Sequence, residues 1–345
     1  MRASARSSGT TAPPTTGCRP DDVGGRPTRR ESMSILVIGG TGFIGPRLIR
    51  RLIERGQSVV CMDVNLTPAS PYASMPSQAT VIRGDVTRFE DVMRAVLEVK
   101  PERMINLAYG LGAGEGNPHQ VMLLDVLGMD NCFEAARLGG VRRVVYASSI
   151  AVSGLQSRFG DRLVNEDDAT YGTSQYAVHK TFNEFQARKF IKNYTMSITG
   201  VRPANVTGPD KVRGSVDHVQ LMVDAARGKP VHLPRKGFMR LLIHVEDTAE
   251  VFARVLMADT PQYDVYNTGG VSVSLGELAD IVRGFLPDAK ITFEKEGGRE
   301  ESGNYLVDNS RLCKEFGIEY PPLPTRVLEI LNDVRRVEGL PLIRR

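Results

Sequence analysis

The chain of 345 residues contains no tryptophan and only four cysteines, Cys18, Cys61, Cys132 and Cys313. These cysteines lie far apart and form no C-x-x-C pair, so the sequence predicts neither a structural zinc site nor a disulfide framework. The five histidines show no H-x-x-x-H spacing, and we expect no metal centre. Sparse, scattered cysteines are typical of a reducing compartment, and we expect a cytoplasmic protein.

Long apolar runs are also lacking, since none reaches the ~18–20 residues of a membrane-spanning helix. The net charge is only +4 at pH 7. Residues 1–32 carry six arginines against three acidic residues and supply three of these charges, which leaves +1 for the rest. A nearly neutral body gives no basic surface for nucleic acid or an anionic membrane, and we expect neither as a partner.

Residues 1–32 are rich in Ser, Thr, Pro, Gly and Arg and have almost no large apolar side chain. Such a segment cannot bury enough apolar surface to offset its chain entropy, so we predict a disordered extension. Its arginines and serines suit an organelle address, and a non-functional extension fits equally well. Met33 stands directly before the first predicted strand, where translation could also begin.

The first apolar segment, Ser34 to Ile38, leads into a glycine-rich turn that ends at Gly45, and apolar residues at helical spacing follow. A strand, a glycine turn and a helix in this order predict a nucleotide site, because the pyrophosphate can approach the free N–H groups of the helix start. A plain structural turn is the simpler interpretation. The residues expected to contact the dinucleotide are Gly39, Thr41, Gly42, Phe43, Ile44 and Gly45.

The second predicted strand, Ser58 to Asp63, ends in a carboxylate 18 residues beyond Gly45. An acid at about this spacing accepts hydrogen bonds from the adenosine ribose and repels a 2′-phosphate. No arginine follows within residues 64–67, so the sequence favours NAD over NADP. The alternative is an ordinary turn aspartate.

Three later segments continue the pattern of strands alternating with helices. Asp85 and Val86 are expected beside the adenine, although Asp85 could simply begin the next helix. The strand that starts at Arg103 ends at Leu107 and Ala108, which we expect near the cofactor. The glycine-rich loop after it, residues 109–116, follows the carboxyl edge of the sheet, where substrates bind in this architecture.

This alternation predicts an α/β protein, a Rossmann-type doubly wound parallel sheet with a smaller C-terminal α/β substrate lobe. We assign residues 33–204, with returning segments near 241–268, to the NAD-binding domain. Residues 205–240 and 269–345 are assigned to the lobe. Asp247 is predicted to cap a helix from Thr248 to Ala258.

Ser149, at the end of the fifth strand, and the pair Tyr176 and Lys180 are the candidate catalytic residues. Tyr176 and Lys180 are four residues apart and share one face of a predicted helix. A phenol has a pKa near 10, and lowering it toward 7 takes roughly 4 kcal/mol, which a lysine cation and a positively charged nicotinamide can supply. Ser149 would then hold the substrate oxygen.

With these motifs in place, the chain resembles the extended short-chain dehydrogenase/reductases, the NAD-dependent epimerase/dehydratase family, from Met33 onward. The resemblance implies that Tyr176 is the acid/base, that Lys180 holds the nicotinamide ribose and that Ser149 polarises the substrate. It also implies that Pro203 approaches the nicotinamide and Asn205 the substrate. The matching segments are Gly39-Gly-Thr-Gly-Phe-Ile-Gly45, Asp63, Gly84-Asp85-Val86, Asn106-Leu-Ala108, Ser148-Ser-Ile-Ala-Val152, Tyr176…Lys180, Val201-Arg-Pro-Ala-Asn-Val-Thr-Gly208 and Ile243-His-Val-Glu-Asp247.

The chain departs from the family pattern at two places. Many relatives have asparagine where this chain has Asp125, in the segment Asp125-Val-Leu-Gly128. Family 4,6-dehydratases carry an Asp-Glu pair just after the serine or threonine, where this chain has Ile150-Ala151. Elimination of water is therefore disfavoured.

In relatives that act on nucleotide-diphosphate sugars, two arginines bind the diphosphate. Arg240 and Arg299 stand near the corresponding places, and a guanidinium suits phosphate oxygens. Both could instead be surface arginines. Lys211 and Arg213 offer an alternative site for a smaller carboxylate or phosphate substrate.

The leading functional hypothesis is an NAD-dependent nucleotide-sugar 4-epimerase. The alternative is an NAD-dependent dehydrogenase or reductase of a sugar acid, hydroxy acid or small ketone, and a non-catalytic nucleotide-binding protein is the third. Relatives often dimerise through the helices near residues 118–138 and 173–193, so we expect a homodimer.

Overall fold

The computed structural model describes residues 34–68, 70–110 and 117–344. The predicted disordered extension, residues 1–32, lies outside the described residues, as do residues 111–116 of the glycine-rich loop. The strands are β1 (Ser34–Ile38), β2 (Ser58–Asp63), β3 (Thr80–Arg83), β4 (Arg103–Asn106), β5 (Arg143–Ala147), β6 (Ile198–Arg202), β7 (Asn205–Thr207), β8 (Val231–Arg235), β9 (Met239–His244), β10 (Val265–Asn267), β11 (Val271–Ser274) and β12 (Ile291–Lys295).

The helices surround these strands and include one irregular turn. They are α1 (Gly45–Glu54), α2 (Phe89–Val99), α3 (Pro118–Met122), α4 (Gly128–Leu138), α5 (Gln175–Tyr194), α6 (Asp217–Ala226), α7 (Val245–Met257), α8 (Leu275–Phe285), α9 (Ser310–Phe316) and α10 (Leu323–Val337). A π-helical turn, Leu123–Leu127, joins α3 to α4.

Seven strands form one parallel sheet in the order β3-β2-β1-β4-β5-β6-β10. The strand order reverses between β1 and β4, where Ile38 pairs with Asn106. In such sheets a crevice opens at this reversal, beyond the carboxyl ends of the strands. The predicted doubly wound Rossmann-type sheet is confirmed.

Helices cover both faces of this sheet because its central strands are apolar on both sides. Strands β4 and β6 are buried at every position. Apolar residues of α1 and α7 pack on one face, and those of α2, α4 and α5 pack on the other. A third apolar cluster joins α6, α8 and α10 to strands β8 and β9. The assignment of lobe boundaries stays a prediction.

Two local predictions were wrong. Helix α7 begins at Val245 with His244 as its cap, and Asp247 instead forms a buried ion pair with Arg326. The predicted helix over residues 118–138 is interrupted by the π-helical turn. Across the described ranges, no helix combines the length and the apolar character that crossing a bilayer requires.

Candidate active site

The glycine turn after β1 is tight at both ends and open in the middle. Gly39 has a φ of +75°, and a side chain there would place its Cβ 2.4 Å from the backbone nitrogen of Ala108. A Cβ on Gly45 would lie 2.2 Å from the carbonyl oxygen of Gly40. Gly42, in contrast, is exposed, and its Cβ would come no nearer than 3.3 Å to a neighbouring atom. The open middle fits a pyrophosphate at the start of α1.

Asp63 lies beside this turn, as the sequence predicts. Its Oδ2 accepts a hydrogen bond of 3.1 Å from the backbone N–H of Thr41, and its Oδ1 accepts one from the N–H of Asn65. These bonds hold the carboxylate at the carboxyl end of β2, which fits the binding of a ribose diol. The contact of Gly39 with Ala108 places the ends of β1 and β4 at the same point.

The residues expected near the adenine are arranged around the start of α2. Asp85 Oδ1 accepts hydrogen bonds of 2.9 Å from both the N–H and the hydroxyl of Thr87. These bonds close a turn ahead of α2, whose N-cap is Arg88 and has no side-chain capping hydrogen bond. Val86 is buried, and its carbonyl accepts a hydrogen bond from Asn131. A contact with adenine stays a prediction for both residues.

Ser149, Tyr176 and Lys180 meet at the carboxyl end of β5. Helix α5 begins after Ser174, whose hydroxyl caps it, and carries Tyr176 and Lys180 one turn apart. Lys180 Nζ donates a 2.6 Å hydrogen bond to the Ala147 carbonyl and lies 5.8 Å from the centroid of the Tyr176 ring. The hydroxyl of Ser149 forms a hydrogen bond with Tyr176.

Burial dominates the protonation of this group. It raises the pKa of Tyr176 to about 12, although the hydrogen bond from Ser149 acts in the opposite direction. Burial also lowers the pKa of Lys180 to about 8, against the opposing charges of Asp125 and Glu184. The expected depression of the phenol pKa by the lysine is therefore not found in the protein alone. A cationic nicotinamide beside the phenol would supply the missing favourable charge.

Tyr109 and Asp125, which the sequence did not assign to catalysis, also lie beside Tyr176 and Lys180. The Tyr109 ring meets the Tyr176 ring edge-on, with centroids 4.6 Å apart, and Lys180 Nζ is 3.9 Å from the Tyr109 centroid. The backbone N–H of Gly110 donates to Asp125 Oδ1. The position of Tyr109, directly after the cofactor strand, was the signal available in the sequence.

The proposed substrate residues are separated into two environments. Arg240 is buried and forms an ion pair with Asp217 and a hydrogen bond with Ser302. Arg299 is exposed and lines a shallow surface hollow beside Glu277. Asn205 Oδ1 accepts a 3.2 Å hydrogen bond from the N–H of Leu241.

The remaining candidates are Pro203, Lys211 and Arg213. The Pro203 carbonyl accepts a 3.1 Å hydrogen bond from Ile150, which places it next to Ser149. Lys211 is partly buried, and burial lowers its pKa to about 8. Arg213 is exposed.

Asp63→Arg should weaken NAD binding by about 10-fold or more and reduce the discrimination against NADP. The substitution removes the acceptor for the ribose hydroxyls and introduces a guanidinium suited to a 2′-phosphate. Calorimetric titration with each dinucleotide measures both effects. Asp130→Asn, at an acidic residue of α4 that accepts a hydrogen bond from Gln186, is the control. Unchanged selectivity in Asp63→Arg would contradict the assignment of Asp63.

Comparison with known proteins identifies the group to which this geometry belongs. The chain is 28% identical over 264 residues to a UDP-glucose 4-epimerase of Mycolicibacterium smegmatis, covering 73% of this chain and 82% of that protein. Two solved structures share the fold. One is a UDP-glucose 4-epimerase of Thermus thermophilus in complex with NAD, with a TM-score of 0.77, 24% identity and coverage of 88% of this chain and 99% of the other. The second is an L-threonine 3-dehydrogenase of Trypanosoma brucei, with a TM-score of 0.78, 20% identity and coverage of 90% and 99%.

The model of the NAD dependent epimerase/dehydratase family matches residues 35–269, which is more than half of the chain. The chain therefore belongs to the NAD-dependent epimerase/dehydratase family and is an enzyme that uses NAD.

Proposed function

We propose that the enzyme is a net dehydrogenase or reductase that acts at a secondary alcohol or ketone of a small substrate. Tyr176 exchanges a proton with the substrate oxygen, and Ser149 holds that oxygen by a hydrogen bond. Lys180 keeps a positive charge beside the phenol and, on family resemblance, binds the nicotinamide ribose. When bound, NAD accepts or returns the hydride.

The environment of Arg240 is the observation that favours a dehydrogenase or reductase over a nucleotide-sugar epimerase. Its guanidinium is already paired with the carboxylate of Asp217, so the charge that would attract a diphosphate is neutralised. A diphosphate placed there would also meet the Asp217 carboxylate, and like charges repel strongly in a partly buried site. His218 and Arg240 hold the pKa of Asp217 below its usual range although burial opposes them, so this carboxylate is ionised at neutral pH. Arg299, the other expected phosphate ligand, is exposed.

The nucleotide-sugar 4-epimerase is the second candidate, and it was the leading hypothesis from the sequence. The Leu241 N–H donates a hydrogen bond to Asn205. This contact favours the epimerase, because it brings Asn205, a predicted substrate residue, next to the residue that follows Arg240, a predicted diphosphate ligand. Both types of activity occur among the similar proteins, in a UDP-glucose 4-epimerase and in an L-threonine 3-dehydrogenase.

A substrate screen distinguishes the two candidates. Purified protein is incubated with NAD and, separately, with UDP-sugars, dTDP-sugars, sugar acids, hydroxy acids and small secondary alcohols. Stoichiometric NADH from a substrate without a nucleotide supports the proposal. Formation of a sugar epimer without net NADH overturns it in favour of the epimerase. Binding of NAD without turnover of any of these classes would reject both candidates.

We also propose that the enzyme is a homodimer joined through α5. Three apolar side chains on this helix, Val178, Phe182 and Phe185, are 52%, 43% and 50% exposed and recur at helical spacing. Apolar side chains aligned on one face of a helix are typical of a protein interface. The exposed Met122 and Leu127, near the other helix that the sequence predicts at the interface, extend the apolar character.

Phe182→Glu should convert the dimer to a monomer, because it places a charge at the centre of this face. Sedimentation equilibrium of the full chain measures the change. Leu97→Glu, which alters an apolar residue of α2 that is 58% exposed, should leave the assembly unchanged. A wild-type monomer, or a Phe182→Glu dimer of wild-type stability, would contradict the proposal.

A further inference from the structure

Tyr109 lies in the active site, and none of the roles proposed above belongs to it. Lys180 Nζ is 3.9 Å from the centroid of the Tyr109 ring, whereas it is 5.8 Å from the centroid of the Tyr176 ring. An ammonium over an aromatic face and within about 6 Å of its centroid is attracted by the negative charge of that face. The attraction is stronger where water is excluded, and Lys180 is only 1% exposed. Tyr109 is therefore the closer aromatic partner of the Lys180 ammonium.

The backbone on either side holds Tyr109 in this place. The Ala108 N–H donates a 2.8 Å hydrogen bond to the side chain of Asn106, and the Gly110 N–H donates one of 2.9 Å to Asp125 Oδ1. Both acceptor residues are buried. Tyr109 is thus fixed by the residues before and after it, although a glycine-rich loop begins here.

The hydrogen bonds of Lys180 leave room for the aromatic contact. A lysine ammonium has three N–H donors. One donates to the Ala147 carbonyl, which is the only hydrogen-bond acceptor of Nζ among the residues that the structure describes. A second can face the Tyr109 ring, and the third remains for the nicotinamide ribose that family resemblance assigns to Lys180. The ring thus stabilises the ammonium without an anion that would compete with the ribose.

The groups around Lys180 determine how firmly it keeps its proton. Burial lowers its pKa to about 8, and the charges of Asp125, from the π-helical turn, and of Glu184, from α5, act against burial. Burial also raises the pKa of both neighbouring phenols, Tyr109 and Tyr176, so each is neutral in the protein alone. Near pH 8, even a modest further attraction therefore changes the charged fraction of Lys180.

The Tyr109 ring also contacts the second member of the catalytic pair. The rings of Tyr109 and Tyr176 meet edge-on, with centroids 4.6 Å apart and an angle of 66° between their planes. An edge-to-face arrangement is one of the preferred geometries of aromatic pairs. One ring therefore touches both Tyr176 and Lys180 and fixes the position of each relative to the other.

We propose that Tyr109 is a positioning residue, whose ring face holds the Lys180 ammonium in its charged form beside Tyr176. The proposal rests on the roles given above to Tyr176 and Lys180 in hydride transfer. A charged lysine favours the phenolate that takes the proton of an alcohol, so loss of the ring face should weaken the acid/base. The role belongs to the ring and not to the hydroxyl. Tyr109→Phe should therefore preserve it, and Tyr109→Leu should not.

The titration of Lys180 tests the proposal without cofactor or substrate. The full chain is prepared with lysine isotopically labelled at Cε and titrated by NMR, and Lys180→Arg identifies the signal. We expect a pKa of about 8 for Lys180 in the wild type, and the same value in Tyr109→Phe. In Tyr109→Leu the pKa should be lower by about 0.5–1.5 units, the shift that corresponds to the loss of a cation–π contact.

A further variant changes the charge of the ring face and keeps its shape. Tyr109→pentafluorophenylalanine, made by suppression of a stop codon, reverses the charge distribution over the face of a ring that still packs like phenylalanine. It should lower the pKa of Lys180 at least as far as Tyr109→Leu does. Because Tyr109→Phe also lacks the hydroxyl, the difference between these two variants measures the ring face alone.

The control is Tyr194→Leu, which removes an aromatic ring at the far end of α5. The Tyr194 ring contacts the Arg137 guanidinium, 4.7 Å from its centroid, and not Lys180. This substitution should leave the pKa of Lys180 unchanged. Equal pKa values of Lys180 in Tyr109→Phe, Tyr109→Leu and Tyr109→pentafluorophenylalanine would overturn the proposal.

The pH profile of kcat/KM, with the substrate found in the screen, measures the consequence for catalysis. The rate should fall on the alkaline side as Lys180 loses its proton. This fall should move to lower pH in Tyr109→Leu, by the shift seen in the NMR titration, and stay in place in Tyr109→Phe. An alkaline limb that does not move in Tyr109→Leu would also overturn the proposal. Absence of turnover with every class in the screen would reject the proposed function instead, and the NMR titration would still decide the role of Tyr109.

Discussion

Tyr176→Phe should reduce kcat by about 10³-fold while leaving the affinity for NAD within about 3-fold of the wild type, the range expected when a general acid/base is removed. The substitution deletes only the hydroxyl that exchanges a proton with the substrate. The ring remains to contact Tyr109, with which it packs edge-on at 4.6 Å, so the local packing is retained. Single-turnover measurements with the substrate found in the screen separate the chemical step from binding.

The same experiment has a control close in the sequence. Tyr171 lies five residues before Tyr176, is 43% exposed and packs on Phe159. Tyr171→Phe should therefore retain wild-type kcat. Turnover of Tyr176→Phe at the rate of the wild type would reject the phenol as the acid/base, whatever the substrate proves to be.

The central sheet and the placement of Tyr176 and Lys180 one turn apart on α5 could be predicted because their signals are local. The glycine turn, the acid that ends β2 and the Tyr176–Lys180 spacing each lie within one strand–turn–helix unit or one helix. Burial of β1 from Ile35 to Ile38 follows directly from its apolar sequence. These features depend on residues that are close together in the chain, so their patterns can be recognised in a single sequence.

The features that were missed depend on residues distant in sequence. Strand β10 has only three residues and joins the sheet beside β6, more than 60 residues earlier in the chain. Asp217 neutralises Arg240 across 23 positions, so the sequence alone presented Arg240 as a free cation. The π-helical turn at Asp125 is invisible to a search at the usual helical period. In each case the decisive partner is set by the tertiary fold.

Glu184→Gln should lower the free energy of unfolding by about 3–5 kcal/mol, because it leaves a buried guanidinium without its counter-charge. Arg202 is 3% exposed, and its Nε and Nη2 donate hydrogen bonds of 2.8 and 2.7 Å to the two carboxylate oxygens of Glu184. Ser148 donates a third, of 2.5 Å, to the same carboxylate. The pair joins α5 to β6 one helical turn from Lys180. Denaturant unfolding of the full chain measures the loss.

The exposed pair Glu134–Arg137 provides the matched control, since Glu134→Gln removes a charge at a position where both side chains are about one third exposed. Such a surface pair contributes only about 0–1 kcal/mol. If Glu184→Gln and Glu134→Gln lower the free energy of unfolding by the same amount, the buried ion pair contributes no more to stability than the exposed pair does. The double variant Glu184→Met/Arg202→Met should recover much of the loss, because replacing both partners of a buried ion pair by apolar groups leaves no charge unpaired. Recovery of stability without recovery of kcat would then show that the ion pair also positions Lys180, whose pKa Glu184 acts to raise.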